Sequence, residues 1–252
     1  MLEARKSKAF DSLFYRYNKH YLLQRHFQQV SFRGSLDPME LDRPILYMMN
    51  HSSWWDGLLA YHVLRTLSSG DHYFMMDERQ LSRYRFFQKL GAFSIQKDSA
   101  RGIIKSLDYA SKLLDEDKRV WIYPQGDIYH ADVRPLVFQP GIGYLLSRYP
   151  SPAVISVTMV SSLIRHQKPE ISLWASNPLI EDWLGMGRKQ SAVMLSAVME
   201  QQLNEHKALV TQEQCDPSTG FIPTLRAGQN TSEVFDGFQR RLSRWKCFFK
   251  SF

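Results

Sequence analysis

Residues 45–64 read Ile45-Leu46-Tyr47-Met48-Met49, then Asn50-His51-Ser52-Ser53-Trp54-Trp55-Asp56, then Gly57-Leu58-Leu59-Ala60-Tyr61-His62-Val63-Leu64. The first five are an uninterrupted apolar run of strand length, and the last eight continue an apolar pattern of helical length. The seven between them therefore occupy a strand-to-helix turn, the place where an α/β chain exposes side chains at the end of a buried strand. An imidazole held there can accept a proton near neutral pH. Asp56, five positions on and at the start of the helix, can reach back to the other ring nitrogen, fix the tautomer and stabilise the imidazolium. A His-Asp tie of this spacing can also do no more than join a helix to a strand. Two tryptophans and two serines, where Gly, Asn, Asp or Pro would serve a plain connection, favour the chemical reading.

Working outward, the segments alternate. Residues 72–76 read as the second strand after the turn signals of 68–71, residues 81–90 as a short helix, and 93–95 as a strand end. Between 99 and 118, Ile103, Ile104, Leu107, Ala110 and Leu114 recur at helical spacing before the charged stop Asp115-Glu116-Asp117-Lys118-Arg119. Val120-Trp121-Ile122-Tyr123 is a buried strand with a turn at 124–127, residues 153–160 and 171–175 are further strands, and 188–209 is a helix. Strand, helix, strand in this order predicts a largely parallel central sheet flanked by helices, an α/β fold, with ligands at the carboxyl ends of the strands. His51, Lys97 and Gln125 would all emerge there.

At this point the chain resembles a known family. Asn50-His51-Ser52-Ser53-Trp54-Trp55-Asp56 is similar to the N-H-x-S-x-x-D box of the glycerolipid acyltransferase superfamily, lysophosphatidic acid acyltransferase type. The likeness continues in order to about residue 160. Residues 91–97 resemble a second box, G-x-x-F-I-x-R, with Lys97 at its arginine. Tyr123-Pro124-Gln125-Gly126 resembles a third, F-P-E-G-T-R, with glutamine for its glutamate and Ile128 where its arginine falls. Residues 138–145 resemble the stretch in which a glycine opens a helix, and 153–157 the fourth box.

The resemblance implies an O-acyltransferase that moves a fatty acyl group from acyl-CoA or acyl carrier protein to a hydroxyl. His51 is then the general base and Asp56 its orienting partner. Lys97, Gln125, Gly126 and Arg134 are the substrate-binding candidates, with no metal and no cofactor beyond the acyl-thioester co-substrate. A lysophospholipid or glycerol-phosphate acceptor is implied by the family. The neutral Gln125 keeps the sugar hydroxyl of a glycosylated lipid or carotenoid as an alternative, since an amide can hydrogen-bond a polyol without charge whereas phosphate favours a bidentate arginine. An inactive lipid-binding relative is a further alternative. A hydrolase using the same pair on water would betray itself by releasing free acid.

Composition sets the remaining bounds. At 252 residues, with no Gly, Pro or Ser-rich linker, one large domain is expected: 35–210 as the acyltransferase domain, 1–34 as an amphipathic membrane-surface segment, and 211–252 as a loop followed by a basic amphipathic helix. The net charge of +7 resides at the ends. Residues 1–34 hold seven Lys/Arg against two acids, and 239–252 hold five against none, which leaves the middle at −3. Phe10, Leu13, Phe14, Tyr17 and Tyr21 form one stripe of a helix with Arg16, Lys19 and Arg25 beside it, and Phe235, Phe238, Leu242, Trp245 and Phe249 form another. Aromatic stripes flanked by cations suit an anionic membrane surface. Zinc-finger spacing and helix-turn-helix signals are missing, so nucleic acid is not an expected partner. No apolar run reaches the roughly 18 residues a bilayer span requires, no secretory signal is visible at the start, and Cys215 and Cys247 are too few for a disulfide framework. The expected location is cytoplasmic, peripheral on the inner face of the membrane.

Overall fold

The structure, a computed structural model, describes residues 1–38, 41–147, 151–226, 235 and 239. Helix α1 (Lys8–Tyr17) passes through a π-helical turn at Asn18–Leu23 into α2 (Gln24–His26) and strand β1 (Gln29–Arg33). Then follow β2 (Ile45–Met49), α3 (Asp56–Leu67), β3 (His72–Asp77), α4 (Glu78–Arg83), a 3-10 turn at Arg85–Leu90, β4 (Ala92–Ile95), α5 (Ala100–Asp115) and β5 (Arg119–Ile122). The chain continues through α6 (Gly141–Leu146), β6 (Ala153–Ser162), β7 (Glu170–Ala175), α7 (Trp183–Met186), α8 (Arg188–Thr211) and β8 (Ile222–Arg226).

The eight strands of the described residues form one sheet in the order β4-β3-β5-β2-β6-β7-β1-β8. The pairs β3/β4, β3/β5, β2/β5, β2/β6 and β1/β7 are parallel, and β6/β7 and β1/β8 antiparallel. Strand β2 sits at the centre and is buried along its whole length, as a strand covered on both faces must be, which is why it reads as an unbroken apolar run. Its pleat divides the core. Leu46 and Met48 join Val120, Ile122 and Val154 under α5, α6 and α8. Ile45, Tyr47 and Met49 join Trp121, Ile155 and Val157 under α3.

Several expectations are corrected. The helix read over 81–90 is two pieces, α4 and the 3-10 turn, because Tyr84 leaves the helical region (φ −116°, ψ 59°). The segment 211–231, read as loop, contains β8, and β1 lies inside the stretch 1–34, so the sheet extends past 35 and 210 at both ends. The aromatic stripe of the N-terminal helix is divided between two environments. Phe14 is buried against Leu58, Tyr61 and Leu90, with Phe10 packed beside it, while Leu13, Tyr17 and Tyr21 are exposed. The buried Asn18 donates to the Leu58 carbonyl at 3.1 Å, so a polar side chain pins the π turn to α3. The second aromatic stripe, over 235–249, lies outside the described residues except for Phe235 and Gln239. Among the described residues no helix is long and apolar enough to cross a membrane.

Candidate active site

The carboxyl end of β2 meets the start of α3 at His51. Asn50 anchors the turn: its side chain is buried, donating to the Met159 carbonyl at 3.1 Å and accepting from the Met159 amide at 2.7 Å, which ties the strand end to β6. Asp56 is fully buried at the first residue of α3. Its Oδ2 accepts from His51 Nδ1 at 2.8 Å, from the Ser52 amide at 2.7 Å and from the Ser53 amide at 3.0 Å. A carboxylate at a helix N-terminus that gathers orphan amides is a stable arrangement, and here it also fixes which ring nitrogen carries the proton. With Nδ1 committed to Asp56, Nε2 is the nitrogen left to take a proton; the His51 side chain is 22% exposed.

The third segment closes round the same ring. Tyr123 lies under the imidazole, ring centroids 4.3 Å apart and planes at 27°. Gln125 is buried and its Oε1 accepts from the His51 amide at 2.8 Å. Gly126 has φ +83°, a conformation that favours glycine, and its carbonyl takes the Lys97 ammonium. The Tyr129 amide donates to the His51 carbonyl at 3.0 Å, bringing the following loop over the site.

Of the residues singled out in the sequence, His51, Asp56, Lys97, Gln125 and Gly126 are therefore joined by direct contacts. The side-chain carbonyl of Gln125, the residue expected to meet a substrate hydroxyl, takes the His51 backbone amide. Arg134 is engaged apart from this group: its Nε and Nη2 meet Asn204 Oδ1 at 3.1 and 2.9 Å, and its Nη1 donates to the Ala131 and Val133 carbonyls. Trp55 packs against Phe27 and His26, whereas Trp54 is 61% exposed at the rim.

A family model described as Acyltransferase matches residues 23–161, more than half of the chain. The chain belongs to that family. The described architecture agrees: the acyltransferase shares its fold with the crystal structure of the 1-acyl-sn-glycerophosphate (LPA) acyltransferase PlsC from Thermotoga maritima, at a TM-score of 0.53 and 15% identity over 80% of each chain. No curated protein sequence gives a significant match. In this acyltransferase the sequence pattern singled out His51, Asp56, Lys97, Gln125 and Gly126 for roles, and quoted Asn50 and Tyr123 within its boxes without giving either one a role. Asn50 was open to inference, since a polar side chain at the end of a fully buried strand must find partners. The stacking of Tyr123 on His51 had no local signature, because 72 residues separate them.

Proposed function

We propose that this acyltransferase moves an acyl group from acyl-CoA or acyl carrier protein to a lipid hydroxyl, with His51 as general base. The acceptor O–H proton passes to Nε2 as its oxygen attacks the thioester carbonyl carbon. The C–S bond breaks, and the imidazolium returns the proton to the departing thiolate. Asp56 stabilises the imidazolium. No acyl-enzyme is needed, and neither serine of the turn acts as a nucleophile: Ser53 Oγ instead accepts from the Trp55 amide at 3.1 Å. The observation that carries the reading is the 2.8 Å contact from Nδ1 to a carboxylate with no solvent exposure, which orients the imidazole and leaves its other nitrogen to take the proton. The reaction takes place at an anionic membrane surface, to which the exposed Leu13, Tyr17 and Tyr21 and the neighbouring Arg16, Lys19 and Arg25 attach the enzyme. The family's lysophospholipid or glycerol-phosphate hydroxyl and the sugar hydroxyl of a glycolipid are the two acceptor classes.

Product detection by mass spectrometry tests this. His51→Ala should lower acyl transfer by ~10²–10⁴-fold, the usual worth of a positioned general base, with the thermal midpoint unchanged. Asp56→Asn should lower kcat far more than it raises KM, because it acts on the charged transition state. Undiminished turnover in His51→Ala would rule the base out.

A further inference from the structure

At the carboxyl ends of β3 and β4, with Asp127 in its lining, opens a groove of about 330 Å³. That is the low end of ligand-site volumes, ~300–1,000 Å³, and suits a headgroup. Gly126 joins it to the His51 site, since the residue before it holds the His51 amide, the residue after it lines the groove, and its own carbonyl receives Lys97. The groove's charges are unbalanced. Asp77, Glu78, Asp98 and Asp127 face two cations, Arg79 and Lys97.

Both cations already have carboxylate partners. Arg79 Nη2 is 3.0 Å from Asp98 Oδ1, and Lys97 Nζ is 3.4 Å from Asp77 Oδ2 while also donating to Gly126. Glu78 takes the Met1 amino group at 3.2 Å. Among the described residues no cation pairs with Asp127. A phosphate monoester, carrying roughly −1.5 to −2 at pH 7, would have to draw Lys97 from two oxygens and lie beside an unpaired carboxylate. Alcohol hydroxyls meet the opposite situation, because carboxylates accept hydrogen bonds from them and no charge has to be matched.

We propose that Asp77 sets the acceptor class: by holding Lys97 against the Gly126 carbonyl, it makes the groove select a neutral, hydroxyl-rich headgroup over a phosphate monoester. The proposal rests on the acyl-transfer reading and narrows its acceptor. Asp77 can be probed cleanly. Its Oδ1 caps α4 by accepting from the Arg79 and Gln80 amides at 2.9 and 3.4 Å, and asparagine caps a helix as well as aspartate does, so Asp77→Asn removes the charge and keeps the cap.

The full chain is given palmitoyl-CoA with oleoyl lysophosphatidate, monooleoylglycerol or dodecyl glucoside, and products are measured by mass. In the wild type, kcat/KM for the two uncharged acceptors should exceed that for lysophosphatidate by about tenfold or more, and Asp77→Asn should raise the lysophosphatidate value roughly fivefold by freeing Lys97. The gain should disappear when Lys97→Met is added. Asp127→Asn should move lysophosphatidate in the same direction, so a failure of Asp77→Asn to fold still leaves a test. Preference of the wild type for lysophosphatidate, or an unchanged acceptor ratio in folded Asp77→Asn, overturns the acceptor assignment alone. Absence of transfer to every acceptor overturns the acyl-transfer reading and this proposal with it.

Discussion

Asp56 and Tyr123 meet the same buried region with opposite success. One carboxylate oxygen takes three hydrogen bonds and the other takes none, and the Tyr123 hydroxyl, also sealed from solvent, has no partner either. Burial, with the Asp56 charge adding to it, pushes the phenol well above its ordinary range, so it stays protonated. The ring is what the site uses, through its stacking on His51. Tyr123→Phe keeps the ring and removes an unsatisfied hydroxyl, so urea denaturation should show stability unchanged or raised by up to ~1 kcal/mol, with acyl transfer retained. At this scale the His51-Asp56 pair was legible because six consecutive residues of one turn contain it. Gln125 and Arg134 were legible only as residue types. Their partners, the His51 amide and Asn204, come from elements 74 and 70 residues away, which no local pattern announces.

Elements formed where periodicity was strong, and their limits were set by neighbours. The pattern over 99–118 became α5 with Ser99 as its N-cap, its Oγ accepting from the Gly102 amide at 3.0 Å, as serine before an apolar-periodic run should. The helix that a glycine opens in the family pattern became α6, and its second glycine has a purely tertiary role. A Cβ on Gly143 would lie 2.0 Å from the Arg188 carbonyl oxygen at the start of α8, a backbone contact that cannot yield without moving one helix. Gly143→Ala should therefore cost at least ~1–3 kcal/mol, the usual penalty of overpacking, read as a lowered denaturation midpoint. Strands β1 and β8 were missed for a related reason. Gln29–Arg33 pairs with Glu170–Ala175 and with Ile222–Arg226, and a five-residue segment of this kind becomes a strand only when remote partners present their backbone to it.

The whole molecule buries three neutral histidines. His72, fully enclosed, accepts from Trp121 Nε1 on Nδ1 at 2.8 Å and meets Ser68 Oγ with Nε2 at 2.6 Å, an arrangement that requires the neutral ring. Burial, reinforced by the Arg119 charge, holds it down to about 3. His206, between Thr158 and Ser172, is held by burial and then by Arg33 at about 3, and His62 by burial at about 4. Burial pushes Asp37 up, but hydrogen bonds from Ser68 and Ser69 and the Arg119 guanidinium outweigh it and hold it at about 2. Each histidine is depressed below its unfolded value of ~6.5, so the unfolded chain binds more protons as pH falls and stability falls with it. Their contribution is complete above about pH 6.5 and should decline below it by ~1 kcal/mol per histidine per pH unit. Asp37 adds a further loss as pH drops from ~4 toward about 2. Urea midpoints measured from pH 7.5 to 4.5 should decrease steadily; a flat profile would contradict the neutral histidine core. The sequence alone determined the α/β class, the strand-turn-helix placement of His51 and the His-Asp pair, because each is written in residues close enough to interact within one element or one turn. Only tertiary structure decided that Gln125 supports the backbone, that Lys97 is held by Asp77, and that the sheet reaches from residue 29 to residue 226. Those outcomes depend on which strand ends lie side by side, and strand order is set by packing across the whole chain.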